Sequence, residues 1–238
     1  MKAVKGFIVI TLVAAGVLLA ARYLNCGYLR NYTPDSDKTI REIREKIAPL
    51  EKNGIKDTKA LFTLANQYSR LGTIYIEKRL WGLAIENYEK AIGYGKDTPG
   101  VYYSLGLAYA NRGSEKNDAA DIDRAEANYQ KAIAMQDDYY DARNALAILL
   151  FYHKDEKDRA IELMEGVVAR NKKHYIARFT LGRFYYETGK LSRALSIYED
   201  LSSDLDKLPP SRIIGEYRNN ARDNIQRILT EMKKQKGD

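Results

Sequence analysis

Residues 175–201, YIARFTLGRFYYETGKLSRALSIYEDL, constrain the fold more than any other stretch of this chain. Leu181, Gly182 and Tyr185 precede a Gly189-Lys190 turn, and Ala194, Tyr198 and Leu201 follow it. Large and small side chains thus recur at helical spacing on both sides of a turn, the pattern of two antiparallel helices in close contact. The small residues let the backbones approach and the tyrosines fill the space beside them. The pattern recurs upstream. Residues 61–92 carry Leu64, Ala65, Tyr68 and Gly72, then Trp81, Ala84, Tyr88 and Ala91. Residues 102–133 carry Leu105, Gly106, Tyr109 and Gly113, then Ala125, Tyr129 and Ala132. A weaker copy over 143–167 has Leu146, Ala147 and Leu150, then Ala160, Met164 and Val167.

These residues resemble the tetratricopeptide (TPR) repeat, whose unit of about 34 residues places leucine-glycine, tyrosine, glycine, alanine and an aromatic at these offsets. The resemblance covers residues 58–203. It implies an all-α fold: a right-handed α-solenoid of about four TPR-like hairpins with capping helices. The expected divisions are an anchor or signal segment at 1–30, a linker and capping helix at 31–56, repeats at 57–208 (58–98, 99–138, 139–173 and 174–208), and a terminal capping helix at 209–238.

The copies differ in length. Tyr185 and Ala194 are nine residues apart, whereas Tyr68 to Ala84 and Tyr109 to Ala125 each span sixteen. The seven extra residues are close to two helical turns. Thr73–Leu80 is apolar enough to continue a helix, while Ser114–Ala120 reads as an exposed loop; the third copy has Lys154 and Asp155 at its turn in place of glycine. Such extensions serve either as partner sites or as neutral insertions.

The net charge of +7 invites a nucleic-acid reading, but its distribution does not support one. Residues 1–30 carry Lys2, Lys5, Arg22 and Arg30 with no acid, and residues 211–238 hold a second basic excess, leaving the repeats near neutral. That is a membrane-flank pattern with a basic end helix, not a basic groove.

Residues 6–21, GFIVITLVAAGVLLAA, are free of charge. As a helix they span about 24 Å, short of a core of about 30 Å unless Lys5 and Arg22 snorkel and Tyr23 and Tyr28 sit at the interface. A cleaved signal lacks a small-x-small site, and a lipoprotein signal ending at Cys26, the single cysteine, lacks small residues before it. The favoured reading is an uncleaved single-pass anchor in a bacterial inner membrane with the repeats on the periplasmic side; a lipoprotein or a cytoplasm-facing domain are the alternatives. Lys2 and Lys5 support this orientation, and Arg22, Arg30, Lys38 and Arg41 weaken it. Asn31-Tyr32-Thr33 is a glycosylation sequon, of consequence only in a eukaryotic secretory setting.

Ile40, Ile43, Ile47 and Leu50 mark an amphipathic helix bent or ended near Pro49. Asp57 is placed to cap the first repeat helix, and Thr98-Pro99 to start the second repeat. After Pro209-Pro210, a long helix with Ile213, Ile214, Tyr217, Ala221, Ile225, Ile228, Leu229 and Met232 on one side covers the last apolar face.

No catalytic, metal or cofactor constellation emerges. His153 and His174 stand alone; Gly93-Tyr94-Gly95-Lys96 lacks Walker spacing; Asp118, Asp121 and Asp123 depart from EF-hand spacing and read as helix caps. The chain reads as a non-enzyme, without cofactor, nucleic-acid partner or small-molecule substrate.

The resemblance implies that the first helix of each pair lines a groove for a protein partner. Its ligand-facing offsets fall on Lys59, Phe62, Asn66 and Arg70; Tyr103, Leu107 and Asn111; Asn144, Ile148 and Tyr152; and Phe179, Arg183 and Tyr186. Phe62, Ser104, Asp141 and Ala145 stand where a chaperone-type carboxylate clamp would need other groups, which disfavours that ligand. An aromatic, apolar groove with a few cations suits a helical or extended apolar segment; alternatively, some of these aromatics pack between repeats or under the terminal helices. Two functions follow: a membrane-tethered scaffold that recruits or assembles a partner in an envelope complex, or a targeting receptor or chaperone-like factor for apolar client segments.

Overall fold

A computed structural model describes residues 36–237, apart from 53, 55 and 56. Ten helices and no strands make up the described residues: α1 Ser36–Lys52, α2 Thr58–Glu77, α3 Trp81–Gly93, α4 Pro99–Lys116, α5 Ala119–Met135, α6 Tyr140–His153, α7 Lys157–Arg170, α8 Tyr175–Glu187, α9 Leu191–Asp206 and α10 Arg212–Gly237. Met1–Thr39 and Ile40–Asp238 separate as two units. The second is a TPR-like solenoid of four antiparallel hairpins, α2–α3, α4–α5, α6–α7 and α8–α9, each packed on the next, with α10 against α9. Among the described residues no helix is long and apolar enough to cross a membrane. The apolar stretch 6–21 and Cys26 lie outside them.

Within hairpins, second-helix tyrosines lie against first-helix glycines. A Cβ on Gly72 would sit 2.8 Å from the Tyr88 ring, and one on Gly106 would sit 2.8 Å from Tyr129. Tyr88, Tyr129 and Tyr198 are buried, so each contributes a large apolar area at a point where the partner backbone has withdrawn its side chain. Between hairpins, Phe151 of α6 stacks on Phe184 of α8 with ring centroids 4.1 Å apart. In α1, Ile40, Ile43 and Ile47 are buried, Arg44 donates to the Tyr75 hydroxyl at 3.0 Å, and Glu51 accepts from Tyr68 at 2.5 Å, fixing this helix over the first hairpin.

Three sequence expectations need correction. Pro49 does not end α1, which runs on to Lys52. Ser114–Ala120 is not a loop: α4 continues to Lys116 and α5 starts at Ala119, with only Asn117 and Asp118 between them. Asp118 is the cap that permits this sharp restart, its carboxylate accepting from the Ala120 and Asp121 amides. Asp121 is no cap. It is 1% exposed and accepts two hydrogen bonds from Arg112 (2.5 and 2.8 Å) and one from the more exposed Arg124 (3.0 Å), so the extra turns of α4 end in an ion cluster built on a buried carboxylate.

The other expected starts divide. Asp57 accepts from the Ala60 amide at 2.7 Å and caps α2. Thr98 has extended backbone before Pro99 but makes no side-chain cap bond. Thr73–Glu77 continues α2, giving it 20 residues against 13 in α8.

Every hairpin turn contains one residue with left-handed backbone: Arg79 (φ 58°), Asn117 (53°), Asp155 (55°) and Gly189 (74°). Gly72 and Gly113, which align with Gly189 in the repeat pattern, instead lie inside long helices and serve close packing.

Candidate functional site

The first helices α2, α4, α6 and α8 touch one another from hairpin to hairpin and form one continuous layer. The side chains expected to face a partner all project from these four helices, but their surroundings differ.

At the α2 end, Phe62 is 68% exposed, the largest exposure of any big hydrophobic side chain among the described residues. One helical turn on, the Asn66 side-chain amide donates to the Phe62 carbonyl, and its oxygen accepts from Lys96 at 2.5 Å. Lys96 comes from the loop after α3, thirty residues from Asn66, and no sequence spacing pointed to it. Arg70 is exposed and reaches the Gln67 side chain at 3.3 Å. Lys59 is exposed as well.

In the middle of the layer the aromatics turn inward. The Tyr103 ring contacts Tyr129 (centroids 6.1 Å) and Tyr139 (5.4 Å). Its hydroxyl is buried without a hydrogen-bond partner, and burial pushes it well above the ordinary phenol range. Asn144 on α6 is 7% exposed, and its Oδ1 is also buried and unpartnered. Asn66 and Asn111 bond back to the carbonyl four residues earlier; Asn144 Oδ1 is an acceptor and has no such outlet. Leu107 and Ile148 are half-buried.

At the α8 end, Phe179 packs on Tyr198 and on Tyr217 of α10 (centroids 5.9 and 5.8 Å), so the terminal helix takes up part of this residue's surface. The Arg183 guanidinium lies over the Tyr152 ring at 5.2 Å, and the Tyr152 hydroxyl donates to Glu187 at 2.6 Å. Tyr186 opens onto a cleft of about 390 Å³ whose far wall is Asp223, Arg227 and Glu231 of α10. That polar wall was legible only as the outer face of an amphipathic helix; its placement opposite Tyr186 depends on how α10 docks.

The structure therefore brings the expected residues into one layer without exposing them equally. Phe62 and Arg70 are exposed at one end and the half-buried Tyr186 lines a cleft at the other, whereas Asn144 is buried and the half-buried Tyr103 and Phe179 are packed against other rings. Tyr103 and Asn144 nevertheless keep polar atoms that nothing in the fold satisfies, and such atoms are uncommon in buried positions. Among the described residues, no group of three or more histidine, cysteine, aspartate or glutamate side chains is arranged to hold a metal ion.

Residues 118–165 and 154–209 match models of the tetratricopeptide repeat, so this part of the chain carries TPR repeats. No curated protein matches the chain. Several solved structures share its fold. YrrB, described as a TPR protein with an unusual peptide-binding site, is 18% identical over 77% of this chain and 86% of its own, with a TM-score of 0.51. TTC0263, a thermophilic TPR protein of Thermus thermophilus, is 17% identical over 85% and 95%, with a TM-score of 0.54. BtubC (BKLC) from P. vanneervenii is 15% identical over 84% and 93%, with a TM-score of 0.57.

Proposed function

We propose that this chain is a protein-interaction scaffold whose first-helix layer holds an apolar segment of a protein partner, with residues 6–21 tethering it to a membrane beside an envelope assembly. Repeats of this type present an extended surface built from one helix per unit, which suits recognition of another chain better than catalysis. The observation that carries the reading is the exposed Phe62 at one end of the layer together with the unsatisfied Tyr103 hydroxyl and Asn144 Oδ1 at its centre. An aromatic anchor in solvent gains most by burial against a partner. A buried acceptor gains most from a donor such as a backbone N–H. Tethering would raise the effective concentration for partners in the same membrane.

The first of the two repeat ends is the better place for a probe. A photo-crosslinking residue at Phe62 in native membranes, followed by mass spectrometry, should capture one dominant protein. That capture should be lost when Asn144→Leu is introduced in the same chain. A set of unrelated client segments in place of one partner would replace the scaffold with the receptor reading. Capture unaffected by Asn144→Leu would remove the centre of the layer from the site.

A further inference from the structure

We infer that the solenoid has one built-in joint, between the second and third hairpins, which is held by surface ion pairs and loosened by salt. The starting point is a hydrogen bond that ties a first-helix tyrosine to a glutamate on the helix before it. Tyr68 donates to Glu51 at 2.5 Å, Tyr109 donates to Glu89 at 2.6 Å, and Tyr185 donates to Glu165. These bonds cross from α2 to α1, from α4 to α3 and from α8 to α7.

The bond between the second and third hairpins is missing, and both of its partners have changed. Leu150 stands 41 residues after Tyr109, and Gln130 stands 41 residues after Glu89. Leu150 has nothing to donate, and Gln130 instead donates to Glu126 on its own helix at 2.9 Å.

Ion pairs are left to hold this crossing without the tyrosine bond that accompanies the Lys190–Asp158 and Arg193–Glu165 pairs at the next one. Lys154, in the α6–α7 turn, pairs with Asp123 and, at 3.0 Å, with Glu126, both on α5. Arg159 of α7 reaches Glu126 at 3.5 Å, and Arg170 reaches Asp137 at 2.8 Å. Asp123 and Asp137 keep 66% and 76% of their side-chain surface in water, so screening acts directly on the pairs they make; Glu126, at 15%, is more covered and its pairs are screened less. The tyrosine–glutamate bonds join the uncharged hydroxyl of a buried tyrosine to an exposed carboxylate, and because the donor carries no net charge they respond less to salt. Where the end of α5 meets the start of α6 lies an apolar cluster of Tyr102, Ala132 and Ala142, flanked by Ile92, Tyr103, Ile133 and Tyr139. The fully buried residues that α5 and α6 themselves give to that cluster are both alanines, so no long core side chain of either helix locks their crossing angle there. Because Tyr103 and Asn144 lie on either side of this joint, bending there would alter the centre of the first-helix layer whatever occupies it.

The test is a distance measurement by pulsed electron spin resonance on the full chain carrying Cys26→Ser, solubilised in mild detergent. Spin labels at Glu115→Cys and Glu162→Cys, both exposed, report across the joint. Labels at Glu162→Cys and Ser192→Cys report within the second half. Raising salt from about 50 mM to about 500 mM should shift and broaden the first distribution and leave the second unchanged. Lys154→Met should produce the same shift at low salt. Gln130→Glu with Leu150→Tyr, which restores the missing bond, should suppress it. If that double variant does not fold, the Lys154→Met arm still decides. A cross-joint distribution unmoved by both salt and Lys154→Met overturns the proposal, as does an equal shift in both label pairs.

Discussion

Gly182 of α8 faces the ring of Tyr198 of α9 so closely that a Cβ on Gly182 would lie 2.7 Å from Tyr198 Cζ. The Tyr198 ring is buried and its hydroxyl donates to the Phe179 carbonyl at 3.2 Å, so it has no free direction of retreat. Gly182→Ala should therefore destabilise the protein by about 2 kcal/mol, lowering Tm by about 6 °C. Gly166 provides the contrast, because it lies within α7 and a Cβ added to it would meet nothing within 4 Å. Gly166→Ala should stabilise by about 1 kcal/mol through helix propensity alone. Urea melts of the two variants check both signs.

The turns offer an opposite pair. Gly189 has φ of +74°, where a side chain is strained, and Gly189→Ala should cost about 1 kcal/mol. Arg79 occupies the equivalent turn of the first hairpin at φ +58° with its guanidinium 6.0 Å from the Trp81 ring centroid. Arg79→Gly should relieve the backbone and lose only that weak contact, for a net change between zero and a gain of about 1 kcal/mol. Thermal unfolding of both variants gives the comparison, and a large loss in Arg79→Gly would show the cation–ring contact to be the stronger effect.

Acid stability should carry the mark of Asp121. The hydrogen bonds from Arg112 hold its carboxyl below the ordinary aspartate value of 3.8, and Arg124 adds to the effect. A folded-state pKa below the unfolded one means that the stabilisation is complete above 3.8 and is lost as pH falls through the depressed folded value. Asp121→Asn should lower stability at neutral pH, and stability should then fall less steeply below pH 3.8 than in the wild type. Denaturant titrations at a series of pH values measure both slopes.

Asn144 separates fold from function. Its Oδ1 is buried without a partner, so Asn144→Leu removes a desolvated acceptor while keeping the side chain's branching and heavy-atom count; the bulkier methyl groups offset part of that gain, and stability should rise by no more than about 1 kcal/mol. The same change should weaken partner capture, the usual cost when a site keeps an unsatisfied group for its ligand. Phe62→Ala should weaken capture too, with stability unchanged within about 0.5 kcal/mol, because the ring is mostly in solvent. Melting curves of both variants test the stability changes; crosslinking yields test capture, from the Phe62 probe for Asn144→Leu and from a probe at the exposed Arg70 for Phe62→Ala.

The sequence by itself determined the helices, their pairing into hairpins and which faces turn inward. Spacings of three and four residues, small residues opposite tyrosines, and caps such as Asp57 are local properties, and local chain geometry converts them directly into helices and turns. It also indicated that residues from Phe62 to Tyr186 share one layer, because a repeat fixes the same offset in every unit.

Only the tertiary structure decided how those offsets are used. Arg79, Asn117 and Asp155 became the turn residues because the lengths of α2, α4 and α6 placed the reversals there, and no glycine announced them. Asp121 became an ion-pair centre because the extra turns of α4 brought Arg112 beside it. Tyr103 and Phe179 gave up part of their surface to Tyr139 and Tyr217, whose docking depends on the angle between successive elements. Periodicity carries information over a few residues of one helix; contacts across a stack depend on the summed tilt and length of every helix before them, and that sum exists only in three dimensions.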